Sequence, residues 1–164
     1  LCAAIAAAAP APIVMHGRLT QKSLGRQVTG ADLFALVPYE NTIILADVTR
    51  AELEAIISEQ WQYRDSYRFS GIYGARVRLN NGKATILGLG QNGPPTTDDE
   101  RLTIAMNSHT AAGTGTFPVL VTILQKQETR MRDTGISTRQ AVEDFLRQHP
   151  NQVITPFPWL TTEP

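Results

Sequence analysis

The side chains able to do chemistry are few and scattered. Cys2 is the single cysteine, so the chain forms neither an internal disulfide nor a cysteine-rich zinc site. The histidines His16, His109 and His149 lie far apart and make no HxxxH or HxH pair. There is no nucleophile elbow, no HExxH and no phosphate-cradling GxxxxGK. The densest carboxylate run, Asp98-Asp99-Glu100, falls in a proline-rich loop, where a solvated charge run is the simpler reading than a metal site. No residue is therefore predicted to be catalytic and no metal or other cofactor is expected in this chain. By its motifs alone it reads as a binding or regulatory module.

Composition narrows the partners. The 164 residues, 42% apolar and 18% charged, suit one domain over 1–164, long enough to bury a core without staples. Fifteen Lys plus Arg balance fifteen Asp plus Glu, which argues against a nucleic acid polymer or an anionic membrane and for small or neutral partners. The apolar opening, Leu1 to Met15, is cut by Pro10 and Pro12, is shorter than the roughly 20 residues of a membrane span, and lacks the basic start of a signal peptide. Leu1 to Ala9 reads instead as a core helix cut from something longer, and the chain as a fragment.

The elements that must position any site follow from pattern. Pro12 to His16 predicts a short buried strand. Thr29 caps a helix over Gly30 to Leu36, with Asp32 in its first turn and Pro38 beyond its end. Asn41 to Val48 predicts an interior strand, and Thr49-Arg-Ala-Glu52 a capping box opening a helix to about Trp61, with Leu53, Ile56 and Ile57 on its core face. Ile72 to Leu89 alternates with period two around Asn80-Asn81-Gly82, a hairpin signal. Gln91 to Glu100 reads as a surface loop and Leu102 to Met106 as a strand. That strand runs into Asn107-Ser-His-Thr-Ala-Ala-Gly-Thr-Gly-Thr-Phe117, small and polar residues that few core elements tolerate. Ser137-Thr-Arg-Gln140 predicts a second capping box and a helix placing Ala141, Val142, Phe145 and Leu146 on one face, ended by Pro150. The tail through Pro156, Pro158 and Trp159 reads as irregular, pinned in part by its aromatics. Strands and helices mix without strict alternation, so the expected class is α+β with a mixed β-sheet and packed helices.

Two segments carry a resemblance. Val28 to Thr42 (VTGADLFALVPYENT), followed by a strand ending Asp47-Val-Thr and a capped helix opening Arg50-Ala-Glu-Leu-Glu54, is similar to the C-terminal domain of the 5'-nucleotidase family, which reads I-T-x-x-D-L-x-x-x-x-P-F-x-N, a strand, and T-G-x-E-L. Ala105 to Phe117 resembles the family's A-T-x-x-F-x-A-x-G-G-D-G-Y loop. The family meant is the bacterial type that includes 5'-nucleotidases and 2',3'-cyclic-nucleotide 2'-phosphodiesterases, and the resemblance runs from the opening helix to about Pro150.

That resemblance implies a substrate-recognition domain. Two divalent metal ions and the hydrolytic chemistry would sit in an upstream metallophosphoesterase domain, the partner of this one, while this domain holds a nucleoside or nucleotide. It further implies a periplasmic or extracellular protein. The base would stack between Tyr39, matching the Phe of P-F-x-N, and His109, where the family has Phe; Asn41 matches the ligand-bonding Asn. Gly113, Gly115 and Phe117 match the glycine loop, and Arg18, in His16-Gly17-Arg18, matches the arginine of G-G-x-R, a phosphate or ribose contact. A flat ring suits this work because every base has a π-face. Read without the family, Tyr39 is a half-buried anchor of the loop after Pro38, His109 a loop imidazole and Arg18 a solvated arginine. Gly113-Thr114-Gly115-Thr116 stands where the family has Gly-Gly-Asp-Gly, so Gly115 replaces an acidic residue. A cyclic-nucleotide or sulfur-ester substrate, or a non-catalytic binding domain that has lost nucleotide binding, is the alternative.

Overall fold

Three helices start where a hydroxyl side chain precedes them. In the computed structural model, which describes residues 1–17, 24–25, 27–90, 93, 96–113, 117–150 and 159–162, Thr29 and Asp32 form a full capping box at α2 (Gly30–Leu36), and Thr49 and Glu52 another at α3 (Arg50–Trp61). At α6 (Thr138–Gln148) the expected box forms only in half. Ser137 Oγ accepts from the Gln140 backbone N–H, but the Gln140 amide turns along the helix and donates to Asp144 Oδ1 at 2.9 Å. A charged acceptor at i+4 competes well with a neutral backbone partner. The opening helix, α1 (Cys2–Ala8), buries Ala4 and Ile5.

The predicted strands form, but in two sheets rather than one. β1 (Ile13–Gly17), β2 (Thr42–Thr49), β3 (Ser70–Tyr73), β6 (Arg101–Asn107) and β7 (Arg132–Ser137) make a five-stranded sheet in the order β3-β1-β6-β2-β7. It is mixed: β1 and β6 are parallel, the other neighbours antiparallel. β4 (Ala75–Asn80), β5 (Lys83–Leu89) and β8 (Leu160–Thr162) make the second sheet, in the order β5-β4-β8. The expected Ile72 to Leu89 hairpin is thus cut at Gly74, whose φ of +91° places the site of a Cβ 1.9 Å from the Pro12 carbonyl oxygen. A glycine passes there, and the chain leaves one sheet for the other. Beyond it the hairpin is as expected: Asn80 pairs with Lys83, and Asn81 (φ 48°) and Gly82 (φ 77°) form the two-residue turn.

β7 and α5 (Pro118–Leu124) had no expectation. β7 carries one large apolar residue in Arg132 to Ser137 and is an edge strand, so its sequence shows no alternation; its pairing with β2 makes it a strand. α5 has no side-chain N-cap bond of its own. The tail is corrected too: β8 pairs parallel with β4, while Trp159 stacks on Phe69 at 6.2 Å and lies against Gly71. The rest of that tail, 151–158, is outside the described residues.

The larger sheet is covered on both faces. Ile13, Met15, Ile44, Ala46, Val48, Leu102, Ile104 and Met106 face a core shared with α3, α5 and the small sheet. Val14, Ile43, Leu45 and Ala105 face α1 and α6. Leu53, Ile56 and Ile57 of α3 are buried as predicted, each contributing roughly 1.5–3 kcal/mol by leaving water.

Candidate functional site

Sheet order and strand direction bring the loop of Tyr39 and Asn41 and the helix of His109 to one end of the larger sheet. β1 and β6 run together and finish there at Gly17 and Asn107, β7 finishes there at Ser137, and β2 starts there at Thr42. Ligands of open sheets gather at such strand ends, where loops rather than core follow.

The loop before β2 carries Tyr39 and Asn41, and α6 fastens it. The Asn41 carbonyl accepts from the Thr138 backbone N–H at 2.8 Å and from Thr138 Oγ1 at 3.0 Å. Arg139 donates from Nε to the Val37 carbonyl at 2.9 Å and from Nη1 to Glu40 Oε1 at 2.6 Å, and its guanidinium lies 4.6 Å from the centre of the Phe34 ring. Pro38 limits the backbone between these ties. The ring of Tyr39 is left 57% exposed on a loop held from both sides. It does not anchor the loop.

The other loop begins with α4 (Ser108–Ala111), which carries His109 on its exposed side. Asn107 caps α4, its Oδ1 accepting from the Thr110 N–H at 2.7 Å. The two loops touch: the Ser108 hydroxyl accepts from the Thr42 N–H at 3.2 Å and donates a long bond, 3.5 Å, to Asn41 Oδ1. Asn41 and the helix bearing His109 are therefore neighbours.

Gly113 is buried, with φ +73° and the site of a Cβ only 2.1 Å from Val121 Cγ2, so its backbone lies directly against α5. Phe117 turns inward. Its ring is 5% exposed and meets Tyr63 edge to face at 5.3 Å, leaving almost no surface for a ligand. Arg18 and Gly115, named from the sequence, lie outside the described residues.

The structure also brings in groups the sequence did not single out as site residues. His16, at the end of β1, is 6% exposed and its Nε2 lies 3.2 Å from Asn107 Nδ2, while its Nδ1 lies 2.5 Å from the Gly17 carbonyl. Burial holds the His16 imidazole below the usual histidine range, partly offset by the bond to Gly17. An Asn ahead of a run of small residues is a cap signal and could have marked Asn107. Nothing local marks Thr138 or Arg139, about a hundred residues from the loop they hold.

Among the described residues no three His, Cys, Asp or Glu side chains gather as a metal site, and no helix is long and apolar enough to cross a membrane. Cys2 is a free thiol, pushed up in pKa by burial. An open groove between α1 and α6, lined in part by Ala4, Ala8, Gly135, Gln140, Asp144 and Phe145, is not lined by Tyr39, Asn41, His109, Gly113 or Phe117.

Comparison with known proteins gives one family. The family model for the 5'-nucleotidase C-terminal domain matches residues 1–122. A Treponema pallidum (strain Nichols) protein named "Probable 5'-nucleotidase" is 30% identical over 138 residues, covering 76% of this chain and 23% of its own. The crystal structure of a 5'-nucleotidase precursor from Thermus thermophilus superposes with a TM-score of 0.78 at 17% identity, over 99% of this chain and 34% of its own. The Haemophilus influenzae NAD nucleotidase gives 0.75 at 16%, over 94% of this chain and 30% of its own. The chain thus spans about a quarter to a third of these proteins, and the two structures attest the α+β fold. With the family model covering residues 1–122 of 164, the chain belongs to the 5'-nucleotidase C-terminal domain family.

Proposed function

We propose that this domain recognises a nucleoside or nucleotide for a 5'-nucleotidase-type phosphoester hydrolase, stacking the base on Tyr39 with the His109 imidazole on the facing loop. The observation that carries this reading is the exposed Tyr39 ring on a loop fastened by Thr138 and Arg139. An exposed ring on a flexible loop loses entropy when a base stacks on it; a fastened one loses little, so more of the contact energy remains as affinity. Asn41, on the Tyr39 loop and tied through Ser108 to the helix bearing His109, has a carboxamide suited to a ligand's polar edge. Arg18 has the fork for a phosphate or ribose contact.

The described residues hold no donor set for metal ions, so no hydrolytic step is assigned to them. The two divalent ions implied for the whole protein supply an activated water when bound, and an upstream metallophosphoesterase domain is the partner that would hold them. Such a protein acts in the periplasm or outside the cell. Gly115, in place of the family's Asp, favours a second reading: a changed ester substrate, cyclic or sulfur-linked, or a binding domain that has lost nucleotides.

Titration with adenosine, uridine and AMP tests this. Stacking less the cost of association leaves weak affinity, on the order of high micromolar to millimolar. Tyr39→Ala is expected to raise Kd roughly 5- to 150-fold, the equivalent of about 1–3 kcal/mol. Equal affinity in wild type and Tyr39→Ala refutes the stacking role; no binding of any of the three moves the choice to the second reading.

A further inference from the structure

We propose that His16 is a positioning residue for the substrate loops: through Asn107 it ties the exit of β1 to the helix that carries His109. The inference rests on the nucleotide-recognition reading and adds to it a residue that touches no ligand.

The hydrogen bonds admit one assignment of atoms. The Thr110 backbone N–H can only donate, so the Asn107 atom it meets at 2.7 Å is the carbonyl oxygen. The other end of that amide is therefore the NH₂ group, which can only donate, and it faces His16 Nε2 at 3.2 Å. Nε2 must then be an unprotonated acceptor. On the far side of the ring, the Gly17 carbonyl can only accept, so the Nδ1 that meets it at 2.5 Å carries the proton. His16 is a neutral Nδ1–H imidazole, in keeping with its burial and the direction of its pKa.

The consequence is mechanical. One amide, Asn107, is fully committed in both directions: it caps α4 and it grips the neighbouring strand. Its orientation cannot reverse while His16 stays in the Nδ1–H form, because a reversed amide would set two donors at Thr110 and two acceptors at His16. The backbone at Gly17 is held as closely. A Cβ there would fall 2.9 Å from the Phe69 carbonyl oxygen, so β1 ends at a glycine packed against the backbone that leads into β3. Beyond Asn107, Ser108 continues the polar contacts to Asn41 and Thr42, and Asn41 to Thr138. The connected groups run from His16 at the end of β1 past the ends of β6 and β2 to Thr138 after β7, and both His16 and Thr138 are buried.

The experiment uses the full-length protein and AMP as probe. Long-range ¹H–¹⁵N correlation of the histidine rings at neutral pH is expected to show His16 as Nδ1–H with an unprotonated Nε2; an Nε2–H or doubly protonated ring overturns the assignment, whatever happens to the variants. His16→Phe keeps the ring and removes both bonds. It is expected to raise the AMP Kd at least about fivefold, the worth of a hydrogen bond, and to speed hydrogen exchange at the Thr110 amide. His16→Gln restores an acceptor for Asn107 and is expected to recover most of both effects, which filling of the core alone would not do. Wild-type affinity and exchange in a folded His16→Phe, or a His16→Gln no better than Phe, overturns the proposal. If His16→Phe does not fold, the ring assignment and the His16→Gln exchange decide. Failure of the underlying reading looks different: wild type and Tyr39→Ala both ignore AMP, and exchange at Thr110 alone then decides the tie.

Discussion

The two loops at the sheet end are held by opposite means. The Tyr39 loop is gripped from outside, by Thr138 and Arg139 on a helix that begins about a hundred residues later. The α4 loop is gripped from inside its own strand, by an asparagine whose partner is a buried histidine on the next strand. Outside clamps leave a ring exposed and ready, as Tyr39 is; inside clamps need buried polar atoms to be matched completely, since each unmatched one costs about 1–3 kcal/mol. The aromatic is thus presented by ties from a partly buried helix start, Thr138 being 1% exposed, while the helix opposite depends on a committed amide.

The largest effect should come from breaking the second loop where it returns to the core. Glu59 is 5% exposed, and its carboxylate accepts from the Val119 N–H at 2.7 Å and the Leu120 N–H at 3.0 Å, capping α5 from another helix. Glu59→Ala leaves the buried Leu120 donor and the donor of the half-buried Val119 bond unpaired and is expected to cost about 2–3 kcal/mol, which lowers Tm by roughly 4–12 °C. Glu59→Gln, which keeps one acceptor oxygen, should lose less; denaturant melts with equal loss in both variants would show that the cap contributes nothing specific.

Arg139→Ala breaks the first loop's clamp, at roughly 2 kcal/mol for the Val37 and Glu40 bonds and the Phe34 contact together. Affinity for AMP should fall with it, and Arg139→Lys should not restore it, because one ammonium cannot span both acceptors. A variant that melts early yet binds AMP as wild type does would show that the clamp is not what readies Tyr39.

The smallest effect is that of pH. The folded state holds His16 below its usual 6.5, so above that value the ring is neutral in both states and adds no dependence. As pH falls below it the unfolded chain takes up a proton that the folded chain resists, and stability declines, with a slope no steeper than that of one proton, until the folded value is passed. Melts from about pH 8 to about pH 5 should show this decline in wild type and less of it in His16→Gln. An identical slope in the two would assign the decline to other groups.

Much of the fold was legible along the chain. Thr29, Thr49 and Ser137 announce their helices because a cap is a contact between residues three apart. Asn81-Gly82 announces its hairpin because the turn needs two residues at positive φ. The boundary at Gly74 was missed: a period-two pattern runs on through a change of sheet, and only the approach of Pro12 shows why a glycine stands there. Phe117 was named beside the ligand for its place in a motif, but packing on Tyr63 turned it into the core.

By itself the sequence determined the α+β class, the family, the capped helices and the two loops that carry Tyr39, Asn41 and His109, since each of these depends on residues near one another in the chain or on a motif they spell. Only the tertiary structure decided which loop residues face outward, that Arg139 and Thr138 hold one loop, and that His16 meets Asn107 across 91 positions. Those are pairings between distant residues, and no local pattern encodes a hydrogen bond whose donor and acceptor are brought together by sheet order.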